Sequence, residues 1–124
     1  MVYRVQAADG RGPWRPGFSD HWFDLEMSRS VAELYALQSW IDEFPHVMRQ
    51  RDPKSRMHLG CGCLTIEQLR RWFTVHDYSR LQSWGYKAVL MDVDRILASS
   101  DLQCVFERAK PLQSGIAPVD LYGP

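Results

Sequence analysis

The sequence predicts an α+β fold in which a small, mixed and mostly antiparallel sheet, either continuous or split in two, packs against three helices. Two observations lead to this prediction: strand-like runs lie near both ends of the chain, and helix-start signals lie in its middle. A length of 124 residues fits a single domain over residues 1–124, with one hydrophobic core. The middle of the chain should therefore supply the helical layer.

The composition is that of an ordinary globular protein. Apolar residues make up 45% and charged residues 24% of the chain, which indicates neither disorder nor a disulfide-stabilised miniprotein. Fifteen basic and fifteen acidic side chains cancel, so nucleic acid is not supported as a partner. Neither an export signal nor an apolar run of membrane-spanning length is visible, so we expect a cytoplasmic protein with no membrane partner. The three cysteines, an odd number, are expected to be reduced.

The chain opens with a predicted strand at residues 2–7, where β-favouring residues precede a Gly/Pro turn signal. The stretch GRGPWRPGFSD then contains three glycines and two prolines in 11 residues, which excludes a helix interior. We predict a structured loop that carries Arg11, Trp14 and Arg15. Its glycines would let a ligand approach the backbone, although such loops are more often simple turns.

The first predicted helix covers residues 31–44. Ser30 and Glu33 form a capping box, and the apolar residues that follow lie on roughly one helical face as far as Pro45. Residues 45–59 are rich in basic side chains, and we predict an irregular segment there with at most a short strand near its end.

Two shorter helices are predicted next. Thr65 and Gln68 form a second capping box, and Thr74 with Asp77 resembles a third cap. The second of these helices should end at Gly85, because glycine is the usual left-handed residue at a helix C-terminus.

Two strand-like segments follow, at 86–93 and 102–109, and we expect them to pair as antiparallel neighbours. Side chains alternate across a strand, so the second segment has one apolar face and one face with polar ends. The apolar face consists of Leu102, Cys104 and Phe106, and the other consists of Gln103, Val105 and Glu107. The pattern leaves open whether the second face is a solvated surface or the wall of a cleft.

A zinc site is one candidate chemistry, because His58, Cys61 and Cys63 place soft ligands within six residues. A convincing fourth ligand is missing, and the Cys-x-Cys spacing is tighter than in most zinc sites. Two half-buried thiols in a glycine turn explain the cluster better, so zinc is not expected. A serine hydrolase and a phosphate-binding loop are not indicated either, because neither motif occurs.

The run LQSWGYKAVLMDVDRILASSDLQCVFERAKPL resembles the closing segment of ADP-ribosyltransferase-like domains. In that family a helix ends, GY or GF starts a strand, and a final strand begins with the catalytic acid. Gln103 occupies the place of that acid. Arg4, next to Tyr3 in VYRV, fits the first-strand position at which the family carries histidine or arginine.

The resemblance implies an α+β domain that binds NAD or a related nucleotide. Arg4 would hold a phosphate or ribose, the ring of Trp14 would stack on the ligand, and Gln103 would lie at the reactive end. The implied nucleotide-binding residues are Arg4, Tyr3, Arg11, Trp14 and Ser19. For the family's middle motif, Ser28 and Tyr35 are alternatives to Ser19.

The departure at Gln103 affects the implied chemistry. Transfer from NAD passes through an oxocarbenium-like centre, which a carboxylate stabilises by about 3 kcal/mol or more and a neutral amide far less. Glu107 lies on the same strand face but roughly 13 Å further along, too far to substitute. The domain either recruits another acid or has kept the cleft and lost the reaction.

A noncatalytic protein-binding module is the second hypothesis, for example an inhibitor or accessory factor encoded by a phage or mobile element. The small size and the missing acid favour it. It predicts a protein partner and an exposed aromatic patch, without dependence on nucleotide.

Overall fold

The described part of the chain folds around two small antiparallel sheets of three strands each. A computed structural model describes residues 1–13 and 40–123, apart from the side chain of Ile41. The strands are β1 (Val2–Gln6), β2 (His58–Gly62), β3 (Lys87–Met91), β4 (Arg95–Ser99), β5 (Cys104–Arg108) and β6 (Ile116–Pro118); the helical segments are α1 (Trp40–Glu43), α2 (Pro45–Gln50), α3 (Ile66–Trp72) and α4 (Val75–Ser83). The predicted α+β class is confirmed, and of the two alternatives for the sheet the structure has the split one. Every strand pair among the described residues is antiparallel.

The first sheet has the strand order β1-β3-β6. β1 pairs with β3 over its whole length, from Val2 opposite Met91 to Gln6 opposite Lys87. β6 pairs with the other edge of β3, and Leu121 beyond it is fully buried. The C-terminal tail therefore docks on the core.

The second sheet has the order β2-β5-β4, with β5 in the centre. Gly62 of β2 lies opposite Cys104, and β4 pairs with the other edge of β5 through a register shift between Ile96 and Ala98. Residues 104–106 are completely buried. A central strand covered on both faces loses the alternation of exposed and buried residues that an antiparallel strand with one solvated face shows.

The two sheets meet where β1 passes the end of β2. The backbones of Tyr3 and Cys63 exchange two hydrogen bonds, with N···O distances of 2.8 and 2.7 Å. A Cβ atom on Gly62 would lie 2.4 Å from Val2 Cγ1 and 2.7 Å from the Tyr3 carbonyl oxygen. Only glycine fits this close approach, which explains one glycine of the GCGC sequence.

Both later helices begin as predicted, and α4 ends next to Gly85 as predicted. Thr65 and Gln68 form a complete capping box at α3, and the Thr74 hydroxyl accepts a hydrogen bond from the Asp77 amide at α4. Gly85 follows α4 with a φ of 89°, in the left-handed region that favours glycine.

Both helices pack on the first sheet. Leu69, Tyr78 and Leu81 are buried in one cluster with Val5 of β1. The Tyr78 hydroxyl also accepts a hydrogen bond from the Ala88 amide at 2.9 Å. Burial of each such side chain stabilises the fold by about 1.5–3 kcal/mol.

The first half of the chain departs from the prediction. Of the predicted helix at 31–44, Ser30 and Glu33 lie outside the described residues, and the structure shows α1 at its end. The irregular segment predicted for 45–59 is wrong in its first part, because α2 occupies Pro45–Gln50. Proline at the first position of a helix has no amide hydrogen to leave unpaired. Pro45 therefore starts α2 instead of being followed by an irregular segment.

The predicted pairing of segments 86–93 and 102–109 is wrong. β3 and β5 lie in different sheets, because the residues between them form β4, which pairs with β5. The sequence DRILASSD separates the two segments, and its central RILAS forms an edge strand. Short edge strands with mixed polarity give a weak sequence signal.

Candidate functional site

The second face of β5 is neither a solvated surface nor an open cleft wall at its centre. Val105 packs with Phe44 and Val47 of the α1–α2 region, while Cys104 and Phe106 pack on the opposite side. Helical residues thus cover the face whose role the sequence left open. Polar groups remain only at the two ends of this face.

Glu107, at one end, forms an ion pair with Arg95 of β4, with a nitrogen–oxygen distance of 3.1 Å. The Arg95 side chain is largely exposed, and a solvated pair of this kind adds little to stability. This end of the strand is an ordinary surface.

Gln103, at the other end, is only 4% exposed. Its Nε2 atom donates a hydrogen bond of 2.8 Å to Glu43 Oε1 of α1, and its backbone amide donates to the Ser100 hydroxyl. The carboxamide therefore connects the start of β5 to the helical segment that covers it. A carboxylate lies next to Gln103, although it comes from a distant part of the chain.

Arg4 points inward from β1 and is 6% exposed. Its Nε donates to Gln6 Oε1 at 2.7 Å, one Nη to the Cys61 carbonyl oxygen at 2.8 Å, and the other to the Gly10 carbonyl oxygen at 2.7 Å. Gly60 makes room for the guanidinium, because a Cβ there would lie 3.2 Å from Arg4 Nη1. All three acceptors are formally neutral.

Gln6 extends this arrangement. It is buried, it accepts from Arg4, and its Nε2 donates to the Leu112 carbonyl oxygen at 2.8 Å. The pair Arg4–Gln6 thus holds the loop after β1 and the segment after β5 against the same strand. Sequence reasoning missed Gln6, since a polar residue at a strand end carries no signal that it is buried.

Arg4 and Gln103 line the same small cavity, whose volume is about 40 Å³. Leu69, Trp72 and Phe73 supply apolar walls. The remaining lining residues are Val5, Gly12, Pro13, Cys61, Gly62 and Cys63. Two residues almost a hundred positions apart thus share one hollow. The cavity offers a guanidinium and a carboxamide in an apolar setting, which is suited to a polar or anionic group.

The other implied nucleotide-binding residues do not gather there. Arg11 has a side chain that is 68% exposed and pairs with Asp9 at 3.7 Å. Tyr3 is half-buried and packs against the core cluster beside α3 and α4. Trp14 and Ser19 lie outside the described residues. The candidate site therefore rests on Arg4 and Gln103.

The cysteines are three free thiols. Burial raises the pKa of Cys61, against the lowering effect of the neighbouring Arg4 guanidinium. Burial and the other thiols raise the pKa of Cys63, and burial followed by Cys61 raises the pKa of Cys104 to about 11. Near neutral pH these groups are protonated, which makes them poor nucleophiles and poor metal ligands.

The zinc hypothesis gains no support from the described residues. Across 1–13 and 40–123, no group of three or more His, Cys, Asp or Glu side chains could hold a metal ion. His58 is exposed on β2, opposite Arg108.

Arg108 is a second buried arginine that sequence reasoning missed. It donates four hydrogen bonds to backbone carbonyl oxygens, one from Nε to Asp92 at 2.8 Å and three from its Nη atoms to Pro111, Ser114 and Gly115. It organises the turn between β5 and β6. Its role is structural. The sequence pattern does not reveal this role, because a charged residue in a strand is normally expected to face solvent.

Comparison with known proteins gives one family. The family model described as Bacteriophage T4 Y00F protein matches residues 1–119. The chain belongs to this family. Membership in the T4 Y00F family confirms the phage-related part of the prediction, while nothing in the match points to an ADP-ribosyltransferase.

No curated protein and no solved structure showed a significant match to this member of the T4 Y00F family. Within the described part of the chain, the helices are too short or too polar to cross a membrane.

Proposed function

We propose that the protein is a noncatalytic accessory factor of a bacteriophage that acts by binding a protein partner. The observation that carries the proposal is the exposed Trp84–Arg80 pair. Trp84 follows α4 and is 44% exposed, and the Arg80 guanidinium lies over its ring at 5.9 Å. Because the chain belongs to a phage family, we expect the partner to be a protein of the phage or of its host.

The Trp84–Arg80 pair has the chemistry of an interface anchor. Tryptophan and arginine are the residue types most enriched where truncation weakens protein–protein binding. Next to Trp84, a Cβ atom on Gly85 would meet none of the described residues within 4 Å. The exposed 44% of Trp84 is the part that a partner would contact.

The candidate site supports a noncatalytic role. The side chains of Arg4 and Gln103 both make hydrogen bonds within the fold. The cavity they share has a volume of about 40 Å³, whereas pockets for cofactor-sized ligands measure roughly 300–1,000 Å³. Protein binding through the outer surface does not require that cavity.

The proposal is tested by affinity capture from extracts of phage-infected bacteria, followed by mass spectrometry. A specific partner should bind the unaltered protein and be lost from Trp84→Ala, with Arg80→Ala weakened. The matched control is Val75→Ala, because Val75 is 63% exposed at the other end of the same helix. Equal capture by Trp84→Ala and Val75→Ala would rule out this surface, and no reproducible partner would rule out the function.

Nucleotide binding is a second candidate, favoured by the shared cavity of Arg4 and Gln103. In this reading Arg4 holds a phosphate of NAD or a related nucleotide, and Glu43, in contact with Gln103, is the recruited acid. Calorimetry with NAD should then show saturable heat that Glu43→Gln leaves intact, while Glu43→Gln abolishes any transfer. Absence of heat with NAD excludes the candidate.

A further inference from the structure

The side chain of Arg4 is a buried cation without a counter-ion among the described residues. The two ion pairs described in the structure join Arg11 to Asp9 and Arg95 to Glu107, and neither involves Arg4. The contacts of its guanidinium are the oxygens of Gln6, Cys61 and Gly10. Burial of a charge is costly unless an opposite charge or a full set of hydrogen bonds compensates it.

The nearby thiol does not supply that negative charge. Burial raises the pKa of Cys61 despite the presence of Arg4, so the thiol is neutral near physiological pH. Burial also lowers the pKa of Arg4, yet a guanidinium remains protonated in proteins. No described residue therefore neutralises the positive charge of Arg4.

The hydrogen bonds of Arg4 are incomplete as well. A guanidinium has five N–H groups, and the three contacts above use one on each nitrogen. One N–H on each terminal nitrogen is left without an acceptor among the described residues. Donors on the two terminal nitrogens of a planar guanidinium can bind two oxygens of a carboxylate or phosphate group.

The cavity lies where such a group would bind. Arg4 is among its lining residues, and Gly12 leaves space beside the guanidinium, since a Cβ there would lie 3.8 Å from Arg4 Nη2. A volume of about 40 Å³ exceeds the roughly 10–15 Å³ that one water needs. It admits one small group, so only a terminal group of a larger ligand would enter it.

We propose that the Arg4 cavity is a binding site for one small oxyanion, a carboxylate or phosphate group, which neutralises the buried guanidinium. The apolar walls from Leu69, Trp72 and Phe73 lower the local dielectric and strengthen this pairing. The site is independent of the Trp84–Arg80 surface. The oxyanion that binds Arg4 is either a free anion or a terminal group of a larger ligand.

The experiment measures calorimetric binding and thermal stability with inorganic phosphate, acetate and NAD, at constant ionic strength set with chloride. We expect saturable one-to-one binding of phosphate or acetate and a matching rise in Tm. Arg4→Gln removes the cation, and Gly12→Val fills the space beside it while leaving Arg4 in place. Gly12 has no positive φ and no neighbour closer than 3.8 Å to its added Cβ, so the valine variant should fold even if Arg4→Gln does not.

Gly12→Val should weaken anion binding by about tenfold or more, since charge-assisted hydrogen bonds are lost. The matched control is Arg49→Gln, an exposed arginine in the last turn of α2, which should bind like the unaltered protein. Equal binding by all variants would mean a nonspecific ion effect and overturn the site, as would no saturable binding by the unaltered protein. Phosphate binding without NAD binding would support the site and reject the nucleotide candidate.

Discussion

At the scale of single residues, two buried arginines distinguish this molecule. Arg4 and Arg108 are both nearly inaccessible, and both donate to backbone carbonyl oxygens of loops. The resemblance to ADP-ribosyltransferase-like domains assigned Arg4 to a ligand, and sequence reasoning passed over Arg108. The strand position of Arg4 was predictable, whereas the loop carbonyls that it meets depend on tertiary folding.

Replacing Arg108 with lysine should destabilise the protein by about 2–4 kcal/mol. Lysine keeps the charge but cannot reproduce the planar fork that reaches Pro111, Ser114 and Gly115 together. Urea unfolding measures the change. Arg49→Lys, at an exposed position, should stay within about 0.5 kcal/mol of the original; a similar value for Arg108→Lys would contradict the role given to its fork.

The glycine at the sheet junction gives a second residue-scale test. Gly62→Ala should cost about 2–4 kcal/mol, because its Cβ would lie 2.7 Å from the backbone oxygen of Tyr3. Thermal unfolding followed by circular dichroism is sufficient. Gly12→Ala is the matched control, since its Cβ meets nothing closer than 3.8 Å; equal Tm values for the two variants would show that the strands can move apart freely.

At the scale of elements, the helices with local start signals were predictable and the edge strand was not. The boundaries of α3 and α4 follow from side chains within three residues of each start, at Thr65 and Thr74. β4 has no such local signal, because its existence depends on the pairing partner β5. Long-range pairing likewise decides that β3 and β5 enter different sheets.

Thr65→Ala should lower the free energy of unfolding by about 1 kcal/mol, since it removes the oxygen that accepts from the Gln68 amide at 3.1 Å. Chemical denaturation provides the measurement. Ser83→Ala also removes a helix hydroxyl, one that donates to the Arg80 carbonyl at the end of α4, and should change stability by less than about 0.5 kcal/mol. If both variants behave alike, the capping box contributes nothing measurable.

At the scale of the whole molecule, the sequence indicated that Arg4 and Gln103 share one cavity. It did not indicate that Glu43 lies against Gln103. Arg4 and Gln103 reach one cavity because β1 crosses the end of β2, which in turn pairs with β5. The hydrogen bond between Gln103 and Glu43 joins residues 60 positions apart, so no local sequence pattern predicts it. Global contacts of this kind set the size of the cavity, and no spacing in the sequence encodes that size.

We expect the buried thiols to lower the stability of the protein in alkaline solution. The pKa of Cys104 rises on folding from 9.0 to about 11, so in this interval the folded state holds a proton that the unfolded state has released. The stabilising contribution is complete below pH 9 and is lost as the pH rises through about 11. Urea unfolding under reducing conditions across this interval should show the decline, with a shallower slope for Cys104→Ala; parallel slopes would contradict the assignment.

The paired bonds between Tyr3 and Cys63 also bear on how the molecule fluctuates. They form the one isolated β-bridge in the described part of the chain, and any motion that separates the two sheets has to break them. Their amide protons are therefore natural reporters of that motion. In deuterated water both should be replaced at a common slow rate, and a ligand that ties the sheets together should slow this replacement more than it slows exchange in α2.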